Sequence, residues 1–175
     1  MNSSLSTKER YLLEDQKTHE QICILKYSNY ANLASDPQLK NIFNSNAKIE
    51  QEHLNTINQL LKGQVPGMSN QSNQNSQSSG GQQNQSQQSN QTQTVQSYNT
   101  TQPQSSSNSF QSSDKDLCTD MLMTEKYVSN TYDTAIFEFS DPQIRNVLNH
   151  IQKEEQQHGE AIFKYMESSG MYNPQ

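Results

Sequence analysis

Two stretches of this chain are copies of one another, set 105 residues apart. Ser35-Asp36-Pro37-Gln38 recurs as Ser140-Asp141-Pro142-Gln143. The same shift superposes Asn41, Asn44, Lys48, Glu50, Gln51, His53 and Ile57 on Asn146, Asn149, Lys153, Glu155, Gln156, His158 and Ile162. Upstream, Asp15, Glu20 and Tyr27 fall on Asp120, Glu125 and Tyr132. A duplicated unit has to fold the same way twice, and any chemistry it contains is present twice.

Each copy reads as two helices. The first is expected from about Thr7 to Ala34 and the second from Pro37 to Leu61, with Gly63 as the stop. The second copy gives helices from about Asp116 to Phe139 and from Pro142 to Ser168, stopped by Gly170 with Pro174 beyond it. The breaks carry their own punctuation. Ser35 or Asp36 can cap the helix that follows, and Pro37 suits a first turn where no backbone donor is needed; Ser140-Asp141-Pro142 repeats the device. Leu39, Ile42, Phe43, Ile49, Ile57, Leu60 and Leu61 form one stripe at helical spacing, and Ile144, Val147, Leu148, Ile151, Ile162 and Tyr165 form its copy. A hairpin with one apolar face buries it against a second hairpin. The expected fold class is all-α, a four-helix bundle made of two repeated helical hairpins.

Between the copies the composition changes. The expected organisation is a first hairpin over 1–62, a Gln/Asn/Ser-rich linker over 63–113 and a second hairpin over 114–175, the two hairpins making one bundle. The linker has Val95, Tyr98 and Phe110 among its few sizeable apolar side chains, so it cannot offset its ordering entropy by burial and is expected to be disordered. About fifty flexible residues span roughly 39 Å, enough for a crossover along the bundle and equally enough to close a plain up-down bundle.

The net charge of −6 and the absence of a Lys/Arg cluster argue against nucleic acid or a membrane as partner. No window is apolar enough to span a bilayer, and Met1-Asn2-Ser3-Ser4-Leu5-Ser6 lacks a basic segment followed by an apolar run, so neither a transmembrane segment nor a signal peptide is expected. Cys23 and Cys118 do not match under the repeat and sit among core residues, which reads as buried thiols.

The chemistry lies on the core stripe. Glu50 stands seven residues after Phe43 and seven before Ile57, and His53 seven before Leu60; Glu155 and His158 repeat this between Leu148, Ile151, Ile162 and Tyr165. Glu20 stands seven residues before Tyr27, Glu125 seven before Tyr132, and each precedes its Glu-x-x-His glutamate by thirty residues. A lone Glu-x-x-His is ordinarily a solvated helix face. Two of them on core faces, at matching places and with matching upstream carboxylates, are not ordinary. Buried carboxylates and imidazoles need neutralising partners. Glu20, Glu50, His53, Glu125, Glu155 and His158 are therefore the candidate ligands for two divalent metal ions, with donors suited to iron or manganese. A polar core kept for structural reasons is the competing reading. Tyr27 and Tyr132 are candidates to hydrogen-bond the ligand carboxylates. His19 and His150 have no counterparts and are expected to be exposed, and Glu154 is set aside because it aligns with Ile49.

Both copies resemble the ferritin-like superfamily, in which rubrerythrins, bacterioferritins and manganese catalases carry ligands at positions matching the six just named. The segment from Asp141 to Leu148, Glu154-Glu155 with His158, and the ending Tyr165-Met166 with Gly170-Met171-Tyr172 resemble the Coat F domain family of spore coat proteins, in its clostridial form. The broader resemblance implies a crossover between the second and third helices. The narrower one implies a structural component of the spore coat, synthesised in the mother-cell cytoplasm, with other coat proteins or further copies of itself as partners. In that setting the linker glutamines are expected to serve as cross-linking sites. A rubrerythrin-like or manganese-catalase-like oxidoreductase acting on peroxide or ferrous iron is the open alternative, and a storage cage is disfavoured because the insert would crowd a closed shell.

Overall fold

The breaks at Asp36-Pro37 and Asp141-Pro142 fix where the chain turns. In the computed structural model, which describes residues 4–66 and 113–172, Asp36 accepts from the Gln38 amide at 2.7 Å and Asp141 from the Gln143 amide at 2.8 Å. Each aspartate satisfies a donor that a helix start leaves unpaired, and the proline at the first helical position has none to satisfy. The helices are α1 (Thr7–Leu33), α2 (Pro37–Leu61), α3 (Asp114–Glu138) and α4 (Pro142–Ser168), with no strand among the described residues. Gly63 and Gly170, at φ 74° and 67°, end α2 and α4 in the left-handed conformation that other residues avoid. The expected linker lies outside the described residues from 67 to 112. The third helix begins two residues earlier than its expected start near Asp116. Ser113 and Asp116 form a capping box there, the Ser113 side chain accepting from the Asp116 amide at 3.2 Å and the Asp116 carboxylate from the Ser113 amide at 3.0 Å.

The stripes meet as patterned. Leu39, Phe43, Ile57 and Leu60 of α2 are buried, as are Ile144, Val147, Leu148, Ile151, Ile162 and Tyr165 of α4, with Leu13, Tyr27, Met121, Val128 and Tyr132 from the other two helices. Full burial of one such side chain stabilises the fold by about 1.5–3 kcal/mol, so the core decides that the hairpins stay together. Cys23 and Cys118 are buried free thiols.

The hairpins are joined reciprocally at their ends. Glu9 accepts from the Ser140 amide at 2.9 Å, and its repeat counterpart Asp114 accepts from the Ser35 amide at 2.7 Å. Each hairpin's first turn thus holds the bend of the other. Tyr30 donates to Asp120, Lys26 to Thr124 and Thr131 to Gln16, a descending and ascending order that makes α1 and α3 antiparallel. Arg10 donates to the Leu61 carbonyl at 3.3 Å, which puts the end of α2 beside the start of α1. Asp114, beside Ser35, lies at the other end. The second and third helices therefore run parallel and are connected from one end of the bundle to the other, a distance of about 37 Å for a 25-residue helix. Of the two topologies the linker length allowed, the structure has the crossover.

Candidate metal centre

Midway along the bundle the apolar stripes are interrupted by acids and imidazoles. Glu20, Glu50 and Glu155 are fully buried, Glu125 is 3% exposed, and His53 and His158 are 2% exposed. All six candidate ligands come together as two groups that share their central members. Glu20, Glu50, His53 and Glu155 offer donor atoms within 4.8 Å of one another, and so do Glu50, Glu125, Glu155 and His158.

The geometry separates the four glutamates into two kinds. Glu50 places one oxygen 3.3 Å from His53 Nδ1 and the other 3.1 Å from His158 Nδ1. Glu155 places its oxygens 3.1 Å from His53 Nδ1 and 3.5 Å from His158 Nδ1. These two, on α2 and α4, reach both halves. Glu20 reaches only His53, at 3.5 Å, and Glu125 only His158, at 3.8 Å. The imidazoles lie nearly parallel, 5.8 Å apart and inclined by 29°.

Protons neutralise the cluster when nothing else does. Burial, with Glu155 and Glu50 nearby, pushes Glu20 up to about 8 against the pull of His53. Burial and the neighbouring Glu155 hold Glu125 well above the usual carboxylate range. Burial acts on Glu155 and Glu50 too, but His158 and His53 outweigh it, leaving Glu155 at about 2 and Glu50 below its ordinary value. Burial would discharge His158, yet Glu155 and Glu50 raise it to about 9, and Glu154 with Glu155 raises His53. Two neutral acids, two carboxylates and two imidazolium ions carry no net charge. Two divalent cations among four carboxylates and two neutral imidazoles carry none either.

The donors fit metal. Glu125 Oε2, Glu20 Oε2 and both Glu155 oxygens have no hydrogen-bond partner among the described residues, although the histidines lie within ion-pair reach. Buried acceptors left this way are costly unless a cation completes them. Hard oxygens with one imidazole in each half suit iron or manganese.

Tyr27 and Tyr132, expected near the ligand carboxylates, donate to Glu125 and Glu20 respectively. Asn46, buried and not singled out in the sequence, donates to the Tyr27 hydroxyl at 3.1 Å. Its repeat counterpart is Ile151, so Tyr132 lacks this support.

Glu154, set aside for matching an isoleucine, is a second residue that sequence reasoning missed. His53 Nε2 donates to Glu154 at 2.9 Å, and the exposed His150 lies 3.5 Å from the same oxygen. His158 Nε2 has no partner among the described residues. The mismatch with Ile49 was the available signal: a charge that appears in one copy only marks where the copies differ. His19, expected exposed, is half-buried, its ring edge-on to Tyr127 and within 3.3 Å of Thr131.

A solvent-open cavity of about 690 Å³ between α3 and α4 reaches Glu125 and Glu155. No helix among the described residues is long and apolar enough to cross a membrane. The model of the Coat F domain family matches residues 113–175, the segment containing α3 and α4 with Glu125, Glu155 and His158. Neither a curated protein nor a solved structure matches the chain.

Proposed function

From the premise that residues 113–175 are a Coat F domain, we propose that this protein is a structural component of the spore coat whose bundle holds a dinuclear metal centre. The observation that carries the metal part is the pair of buried donor sets sharing Glu50 and Glu155. Glu20 and Glu125 are the outer ligands, Glu50 and Glu155 the shared ones, and His53 and His158 the nitrogen donors. Iron or manganese bound there supplies Lewis-acid and redox chemistry. The chain's own residues hold the outer carboxylates through the two tyrosines, Tyr27 on Glu125 and Tyr132 on Glu20. The full set of six and the lengthwise crossover support a ferritin-like bundle for the whole chain. In this reading the segment outside the described residues is the linker, with its glutamines as cross-linking sites.

Other coat proteins, or further copies of the chain, are the partners. Exposed Leu25, Leu33, Met123, Tyr127 and Phe137 support association. A second reading, a di-metal oxidoreductase acting on peroxide or ferrous iron, is favoured by one feature, the solvent-open cavity that ends at Glu125 and Glu155.

Fractionation of spores tests the coat assignment. The chain is expected in the coat extract, and recovery from vegetative cytosol alone would contradict it. Wild type and Glu50→Ala/Glu155→Ala then separate the two readings: a metal-free variant that assembles normally and costs no peroxide consumption leaves the structural role, whereas loss of a measurable wild-type consumption establishes the enzyme.

A further inference from the structure

The two faces of the bundle that lead toward the centre differ. Between α3 and α4 the cavity of about 690 Å³ is lined by buried Glu125 and Glu155, half-buried Ser129 and Gly159, and exposed Asp133 and Glu160. Shifting by one repeat replaces Gly159 with Leu54 and Ser129 with Ile24, both half-buried. The second copy has thus a missing side chain and a small hydroxyl where the first has two branched apolar residues. A β-carbon added at Gly159 would meet Glu125 Cβ at 3.9 Å and Leu122 Cδ2 at 4.0 Å, ordinary contact distances. The glycine is therefore not required by tight helix packing; anything longer than alanine projects toward the cavity. Its lining carries four carboxyl groups against one cation, Lys126, and Glu125 Oε2 at its buried end lacks a hydrogen-bond partner among the described residues.

We propose that the α3–α4 cavity is the entry port of the metal centre, admitting hydrated divalent cations past Ser129 and Gly159 to Glu125 and Glu155, while Ile24 and Leu54 close the equivalent face of the first hairpin. Exposed Asp133 and Glu160, the latter also paired with Lys164, offer oxygens at the mouth, and the cavity leaves room for a hydration shell that is shed only at the buried carboxylates. The port rests on the metal reading above and makes the centre one-sided: the half containing His158 is reached first.

Stopped-flow uptake of cobalt(II) by the metal-free full chain, followed by its visible absorption, tests this. Gly159→Leu is expected to slow uptake by about tenfold or more, a barrier raised by roughly 1.4 kcal/mol, with the final cobalt stoichiometry unchanged. Gly159→Ala should match wild type, and Leu54→Gly should quicken uptake by opening the other face. Should Gly159→Leu fail to fold, Ser129→Ile narrows the port from the opposite helix and carries the same expectation. A folded variant that fills at the wild-type rate, or that loses stoichiometry rather than speed, overturns the port and leaves the metal centre standing. Wild-type protein that takes up no cobalt overturns both.

Discussion

The Tyr27 hydroxyl on α1 donates to Glu125 on α3, 98 residues along the chain and in the other repeat. Tyr132 returns the arrangement by donating to Glu20. Each copy therefore supports the other copy's outer glutamate, and each donor set draws residues from both hairpins. The same exchange links Glu9 to Ser140 and Asp114 to Ser35. Tyr27→Phe and Tyr132→Phe should each cost about 1–3 kcal/mol in denaturant unfolding of the metal-free protein. Tyr27→Phe should cost more, because the buried Asn46 amide loses its acceptor as well. Equal losses would show that Asn46 contributes nothing through the tyrosine.

In the proposed centre, metal and protons compete for the same acids. At neutral pH Glu20, raised to about 8, and Glu125 hold protons, as do His158, raised to about 9, and His53. Filling the centre should release about four protons per chain near pH 7, measured as the buffer dependence of the calorimetric heat. The sign follows directly: raising the pH removes the competitor, so affinity should increase between pH 6 and pH 8, a window set by the raised values of Glu20 and His158. Release of fewer than two protons would mean that the cluster does not hold them as described.

Glu154 makes the two halves unequal. A carboxylate on the outer nitrogen of a ligating histidine fixes the ring and raises its basicity, and its loss typically weakens metal binding by about 10–100-fold. Only His53 has such a partner among the described residues. Wild type should therefore bind manganese in two resolved steps, and Glu154→Ile, which copies Ile49 of the other repeat, should bring them together by weakening the tighter one. Unchanged two-step binding would remove Glu154 from the centre.

Much of this was legible in the sequence because the repeat constrains itself. The Asp-Pro breaks placed α2 and α4 to the residue, and the seven-residue spacings put all six candidate ligands on buried faces. What the repeat hid were its departures. Ser113-x-x-Asp116 caps α3 as Ser6-x-x-Glu9 caps α1, but the two boxes fall two residues out of the repeat's register. Asn46, Glu154 and Gly159 stand opposite Ile151, Ile49 and Leu54, and averaging the copies discards them. Spacing and linker length left the topology open, and the crossover was implied only by the ferritin-like resemblance. Helical periodicity gives faces, while direction depends on end contacts such as Arg10 with Leu61, which join residues far apart in the chain.

Glu9 provides a test of the bundle independent of metal. Burial would raise its carboxyl, but the Ser140 and Ser6 amides and hydroxyls outweigh burial and bring it to about 2 from 4.5. Its folded value is depressed, so the stability it contributes is fully present above about pH 4.5 and is lost as the pH falls toward 2. Glu9→Gln should lower unfolding stability by about 1–3 kcal/mol at pH 7 and by much less near pH 2. A difference that persists undiminished in acid would assign the effect to packing instead.

The centre itself is tested most directly by counting metal. After equilibration with manganese(II) and removal of free ion, elemental analysis should find about two ions per wild-type chain and none retained by Glu50→Ala/Glu155→Ala, with the wild-type melting temperature raised by metal and lowered again by chelator, since a ligand at a hundred times its dissociation constant stabilises the fold by about 2.7 kcal/mol per site. Wild-type protein that retains no manganese or iron, and melts at the same temperature with metal and with chelator, would contradict the account.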